Sequence, residues 1–159
     1  MEKEHGLTPV VEPEVTLGPG DYSIAKAAHV TERVISHVYR ALNMQDVVLE
    51  ATLLKPSMVL PGLDALMASH EEVAEYTVRT MMRTVPPAVP AIMFLSGGMG
   101  SKEATRNMLQ LQLQPHKTPW MLSFSFGRAL QESVLAKWGG KPENVKSAQQ
   151  LLYELARVN

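Results

Sequence analysis

The chain has no cysteine, which excludes a disulfide framework and a thiolate metal site and leaves the redox compartment open. It also lacks a long apolar run: nothing approaches the ~20 residues that a bilayer span requires. The opening Met1-Glu2-Lys3-Glu4-His5-Gly6 carries no apolar signal region. Runs of like charge are missing too. With 15 basic against 16 acidic residues and a net charge of −1, there is no basic arm for nucleic acid and no basic face for a membrane. His5, His29, His37, His70 and His116 show no metal-ligand spacing, with His29 and His37 expected on a helix surface. Neither GxGxxG nor GxxxxGK followed by Ser or Thr occurs, so the common nucleotide fingerprints are absent. What remains is a globular chain of 159 residues, 45% hydrophobic, one domain's worth with material for a sizeable core.

Short apolar runs alternate with amphipathic segments. Leu7–Val11 reads as a strand ending in Glu12-Pro13-Glu14-Val15, followed by a turn at Leu17-Gly18-Pro19-Gly20-Asp21. Val30, Val34, Val38 and Leu42, with Ile35 and Tyr39 beside them, predict a helix from about Ser23 to Asn43. Val47–Lys55 reads as the second strand and Pro56–Ala68 as a loop. Ser69-His70-Glu71-Glu72 has the form of a capping box opening a helix to Thr84. Glu75, Arg79 and Arg83 mark that helix's expected wet face. Pro86-Pro87 stops it, and a third strand, Ala88–Leu95, runs into Ser96-Gly97-Gly98-Met99-Gly100-Ser101. A helix over Lys102–Leu113, a fourth strand over Trp120–Phe126, a helix over Ala129–Trp138 and a last helix from Pro142 to Val158 complete the chain. The ten methionines, including Met81, Met82, Met93 and Met121, read as core filler.

Four βα units with continuously apolar strands imply an α/β fold with parallel strands covered on at least one face. They fit either half of a (β/α)8 barrel or a small doubly wound sheet. The strand ends bear on this choice, because a barrel gathers its working groups at the C-terminal ends of its strands. Here those ends read Glu12/Glu14, Lys55, Ser96-Gly97-Gly98 and Ser125/Gly127/Arg128.

Each group has a plain alternative. Lys55 closes a strand and precedes a proline, so it either snorkels to water or is chemically used. An ammonium that loses its hydration gives up its proton and becomes a nucleophilic amine. Glu12 and Glu14 sit two apart in an extended segment and share a side, either as an acid/base pair or as a solvated turn. Ser96-Gly97-Gly98 offers bare N–H groups to a phosphate, or is an ordinary βα turn. Arg128 is a bidentate phosphate clamp or a surface arginine, and its position after the next strand favours the clamp.

Six ordered stretches resemble class I fructose-bisphosphate aldolase: Val11-Glu12-Pro13-Glu14, Leu53-Leu54-Lys55-Pro56-Ser57-Met58-Val59, Arg83–Val89, Phe94-Leu95-Ser96-Gly97-Gly98, Phe124–Gln131 and Trp138–Asn144. The resemblance covers essentially the whole chain and corresponds to the second half of that family's barrel, strands 5 to 8. It implies a (β/α)8-barrel family with about four βα units here, one partial barrel domain over 1–159. The implied activity is the reversible cleavage of fructose 1,6-bisphosphate to dihydroxyacetone phosphate and glyceraldehyde 3-phosphate, a step of glycolysis and gluconeogenesis. A non-catalytic aldolase-like fragment, binding phosphate or forming oligomers, is the other reading.

The resemblance places Lys55 as the Schiff-base lysine, Glu12 as the general acid/base and Glu14 as a second carboxylate beside the lysine. It places Ser96, Gly97 and Gly98 in the loop that binds one substrate phosphate, completed by Ser125, Gly127 and Arg128. It implies no cofactor and no metal, because the imine does the polarising. Met99 stands where the family most often has glutamine, and Gly100-Ser101-Lys102-Glu103 departs from the family's serine and acidic run. The family's first four βα units, with their aspartate base and second phosphate site, have no counterpart in these residues. A sugar-phosphate substrate, no nucleic-acid or membrane partner, and a cytoplasmic location with plastids as the family's other compartment are the corresponding expectations. An isolated half-barrel leaves its edges and inner wall open, so a homo-oligomer is expected.

Overall fold

The computed structural model describes residues 5–15, 18–115 and 117–159; Leu17 of the expected turn and His116 lie outside them. The elements run β1 (Val10–Val11), α1 (Ile24–Met44), β2 (Leu53–Leu54), α2 (His70–Thr84), β3 (Ala91–Phe94), α3 (Ser101–Gln112), β4 (Met121–Phe124), α4 (Arg128–Trp138) and α5 (Val145–Arg157), with 3-10 turns at Leu49–Ala51 and Pro142–Asn144. Local chemistry accounts for several boundaries. The Ser23 hydroxyl accepts the Lys26 N–H and opens α1; Ser69 accepts the Glu72 N–H and opens α2. Gly139 takes a left-handed φ of 58° and closes α4.

All four strands are parallel, in the order β1-β2-β3-β4. Right-handed crossovers in an unreversed strand order put every connecting helix on the same side of the sheet. Accordingly α1 packs on α2 and α2 on α3, with α4 against α3. A doubly wound sheet reverses its strand order and carries helices on both faces; this sheet does neither. The architecture is α/β, part of a barrel wall.

Beneath the helices lies the core. Leu54, Ile92 and Phe94 are 0 to 1% exposed and meet Ile35, Val78, Met81 and Met108 from the helices in one cluster. The other face is open: Val10 is 45% and Met121 76% exposed. In register, Val10 stands opposite Leu53, and Ala91 opposite Met121, so an apolar row crosses the open side.

Four expectations need correction. Val47–Ala51 is not strand: Asp46 turns the chain with φ 50°, the Val47 N–H returns to the Leu42 carbonyl at 3.1 Å, and Leu49–Ala51 coils as a 3-10 turn. An apolar run by itself does not separate these outcomes. The buried stripe of α1 is Ile24, Ala27, Ala28, Thr31, Ile35 and Tyr39, leaving Val30, Val34, Val38 and Leu42 half-buried on its flank. Met82 and Met121 are exposed rather than core; Met82 is one residue, about 100°, off the α2 stripe, and Met121 faces the open side of an edge strand. Arg79 leaves the wet face and lays its guanidinium 4.2 Å over the Tyr76 ring. Arg83 does reach the surface, where Nη1 meets Glu32 Oε1 at 2.9 Å. His29 and His37 are exposed on α1.

Candidate active site

Parallel pairing sets Val11 opposite Leu54. Because alternate residues of a strand face opposite sides, the buried Leu54 sends its successor, Lys55, to the open face, and Glu12 on β1 faces the same way. Lys55 Nζ lies 2.9 Å from Glu12 Oε1, with the side chains 22% and 49% exposed. The Lys55 N–H also donates to the Val11 carbonyl at 2.8 Å. Pro56 has no N–H, yet its carbonyl accepts from Leu95 at 3.1 Å, so the lysine is held between both neighbouring strand ends. A cation and a carboxylate at hydrogen-bond distance can exchange a proton, which an amine nucleophile needs before it attacks.

The chain leaves β3 through the buried Ser96 into Gly97, whose φ of 56° is left-handed. A side chain there would be strained, and glycine is the economical solution. The Met99 N–H turns back to the Ser96 carbonyl at 3.0 Å. The Gly97 and Gly98 N–H groups donate to no acceptor among the described residues, and α3 begins shortly after them at Ser101. Unpaired amides ahead of a helix N-terminus form an anion site. Arg128, first residue of α4, donates from Nη2 to the Gly97 carbonyl at 2.8 Å.

This loop forms one wall of a cleft of about 210 Å³, to which Glu14, Ser57, Ser96, Gly97, Gly98 and Arg128 contribute polar groups. Sequence-level candidates therefore separate into two sets. Glu12 and Lys55 make the ion pair; Glu14 makes none with Lys55 and stands with the glycine loop instead. Ser125 and Gly127 are not in the cleft wall. The Ser125 N–H donates to the Phe94 carbonyl at 2.8 Å, and the Gly127 carbonyl caps α4 by accepting from Leu130 and Gln131. Their effect is to deliver Arg128.

Two features escaped the sequence reading. The Ser57 hydroxyl oxygen is buried in the cleft wall with no hydrogen-bond partner among the described residues; its place two residues after Lys55 was the available signal. The loops after β1 and β2 are also clasped together. Gly20 N–H donates to Asp64 Oδ2 at 2.7 Å, Asp64 N–H to the Gly20 carbonyl at 3.1 Å, and Gly62 N–H to the Tyr22 carbonyl at 2.9 Å. A Cβ on Gly62 would collide with the Gly20 carbonyl oxygen, which explains the glycine. The Pro61-Gly62 dipeptide announced a turn, though not its partner. Among the described residues no three His, Asp or Glu side chains gather as a metal cluster.

A lysine–glutamate pair at adjacent strand ends, beside a glycine loop, accompanies a decisive likeness. A family model described as "Fructose-bisphosphate aldolase class-I" matches residues 1–159. The chain belongs to the class I fructose-bisphosphate aldolases. It is 54% identical over 157 residues to the cytoplasmic isozyme 2 of Pisum sativum and 54% identical to the cytosolic aldolase 6 of Arabidopsis thaliana. Against the fructose-bisphosphate aldolase of Schistosoma mansoni the identity is 52% over 158 residues. These alignments cover 99% of this chain but 44%, 44% and 43% of the three relatives. The chain thus spans less than half the length of the family members it matches. The fold agrees: a ternary co-crystal structure of the aldolase from Plasmodium falciparum, in complex with TRAP and a small-molecule inhibitor, superposes with a TM-score of 0.91 at 47% identity, covering 96% of this chain and 44% of that one.

Proposed function

We propose that residues 1–159 form one domain carrying the Schiff-base half of a class I aldolase site, acting on fructose 1,6-bisphosphate. The observation that carries this reading is the 2.9 Å contact between Lys55 Nζ and Glu12 Oε1 at neighbouring strand ends. Glu12 takes a proton from the Lys55 ammonium, and the freed amine attacks the C2 ketone. Glu12 returns its proton to the carbinolamine hydroxyl, which leaves as water and gives a protonated imine on Lys55. That imine accepts the electron pair of the C3–C4 bond as it breaks, while Glu12 takes the proton of the C4 hydroxyl, which becomes the aldehyde. Glyceraldehyde 3-phosphate departs, and an enamine of dihydroxyacetone phosphate stays on Lys55. Protonation and hydrolysis return the free lysine, and the polarising group throughout is the imine, with no cofactor called for.

Ser96 and the Gly97 and Gly98 amides receive one substrate phosphate, and Ser125 and Gly127 set the start of α4 behind them. Arg128 has five N–H donors, one of which holds the Gly97 carbonyl; the others are available to the anion. Glu14 stands close enough to the same cleft to bias protonation within it.

Borohydride trapping with dihydroxyacetone phosphate tests the reading. Wild-type chain yields a covalent adduct mapped by mass spectrometry to Lys55, and Lys55→Ala yields none. An unmodified wild-type chain leaves instead a non-catalytic, phosphate-binding or oligomer-forming module. The open apolar row through Val10 and Met121 supports homo-oligomerisation in either case. The cytoplasmic and cytosolic names of the plant relatives support the cytoplasm as the compartment.

A further inference from the structure

The Ser96–Met99 loop is a thin partition. On one side lies the cleft with Glu14 and Arg128; on the other is a second cleft of about 240 Å³, which Gly98 and Met99 also line, together with His70, Glu103 and Asn107. A loop with voids on both sides has little packing to hold its glycines in an anion-binding conformation. Yet Gly97 sits in a left-handed conformation with its amide unpaired. Something must brace it.

Asn107 is 1% exposed in the middle of α3, where asparagine is a poor helix former and a buried amide is costly unless bonded. Both ends of this amide are engaged. Its nitrogen donates to Met99 Sδ at 3.1 Å, and its oxygen meets His70 Nδ1. A thioether sulfur accepts hydrogen bonds and never donates them. The nitrogen must therefore face Met99, the oxygen must face His70, and His70 must carry its proton on Nδ1. His70 opens α2 at the end of the loop that follows Lys55. One buried side chain thus ties the glycine loop after β3 to the segment descending from the lysine strand.

We infer that Asn107 is a positioning residue for the anion-binding loop, acting through Met99 and anchored by His70. The inference deepens the proposed aldolase reading and rests on it for the identity of the anion, but the brace itself can be tested without any ligand. In hydrogen–deuterium exchange on the unliganded 159-residue chain, Asn107→Leu accelerates exchange of the Met99 amide, which is bonded to the Ser96 carbonyl, by about tenfold, the scale of one to two net hydrogen bonds, while α1 amides keep their wild-type rates. Met99→Leu keeps the volume and removes only the sulfur acceptor. It accelerates the same amide by about threefold, the scale of a weak bond, and decides the matter should Asn107→Leu loosen the whole chain. Unchanged loop exchange in Met99→Leu, or a uniform rise along the chain in both variants, overturns the brace.

For function, the readout is borohydride trapping at Lys55 with two ketones. In Met99→Leu the half-saturating dihydroxyacetone phosphate rises about threefold with the same maximal adduct, and trapping by phosphate-free dihydroxyacetone is unchanged. An equal loss with both ketones means that the residue only stabilises the fold, which refutes positioning. A wild-type chain that traps neither ketone sinks the aldolase reading and, with it, the phosphate role given to Asn107, whereas selective loop exchange still upholds the brace.

Discussion

Both faces of the sheet carry large apolar residues, and these meet opposite fates. Toward the helices, Ile92 and Phe94 are 0 and 1% exposed; one residue away in the same strand, Ala91 and Met93 are half-buried on the other side, and Met121 in β4 is almost bare. Composition does not make this difference. Unreversed right-handed winding does, because it stacks every crossover helix on one side and reserves the other for the inner wall of a barrel. The lesson for the site is direct. Lys55 and Glu12 point into the open side, so the fold positions this ion pair where it supplies no core.

Truncation on the two faces should separate them most widely. Phe94→Ala removes a fully buried ring and is expected to cost about 3 to 5 kcal/mol, read as a lowered denaturant midpoint at constant slope. Met121→Ala, on the same sheet, is expected to stay within about 0.5 kcal/mol. Comparable losses at both positions would mean that the open face is covered in solution.

The second expectation concerns association. Val10→Lys combined with Met121→Lys breaks the apolar row, and light scattering after size exclusion should show a lower mass than wild type; an unchanged mass would place the contact elsewhere. A third test lies on the covered side. Burial pushes the Tyr39 phenol above its ordinary value of 10.0, so the native state holds that proton more firmly than the unfolded chain. Its contribution is complete below pH 10 and declines as pH rises beyond it, where the unfolded phenol ionises first. Tyr39→Phe should therefore flatten the alkaline fall in stability measured by urea titration. The smallest effect is expected at Arg83→Ala, which opens the Glu32–Arg83 pair joining α2 to α1. With the arginine 59% exposed, the change should be at most about 0.5 kcal/mol and should shrink further in high salt.

Much of this organisation was legible in the sequence because it depends on neighbours. Ser23 and Ser69 announced helix starts, Pro86-Pro87 a stop, and Gly139-Gly140 a break. The order of four βα units followed from these, and the ordered motifs identified the family. Errors arose even between residues three to five apart, because an apolar run or a helical period leaves such contacts unspecified. Val47–Ala51 looked like strand until the Val47 N–H bonded back to Leu42, and Arg79 looked solvated until the chain folded it over Tyr76.

The residue types at the strand ends, and therefore the chemistry within reach, were determined by the sequence alone. Which of them meet was decided only by the tertiary structure. Glu12 and Lys55 are 43 positions apart by their numbers and touch because Val11 pairs with Leu54; Glu14, equally acidic and two residues away, joins the glycine loop. Arg128 reaches Gly97, and Asn107 bridges Met99 and His70, through strand register and helix packing. Such contacts depend on non-local pairing, which no window of sequence contains.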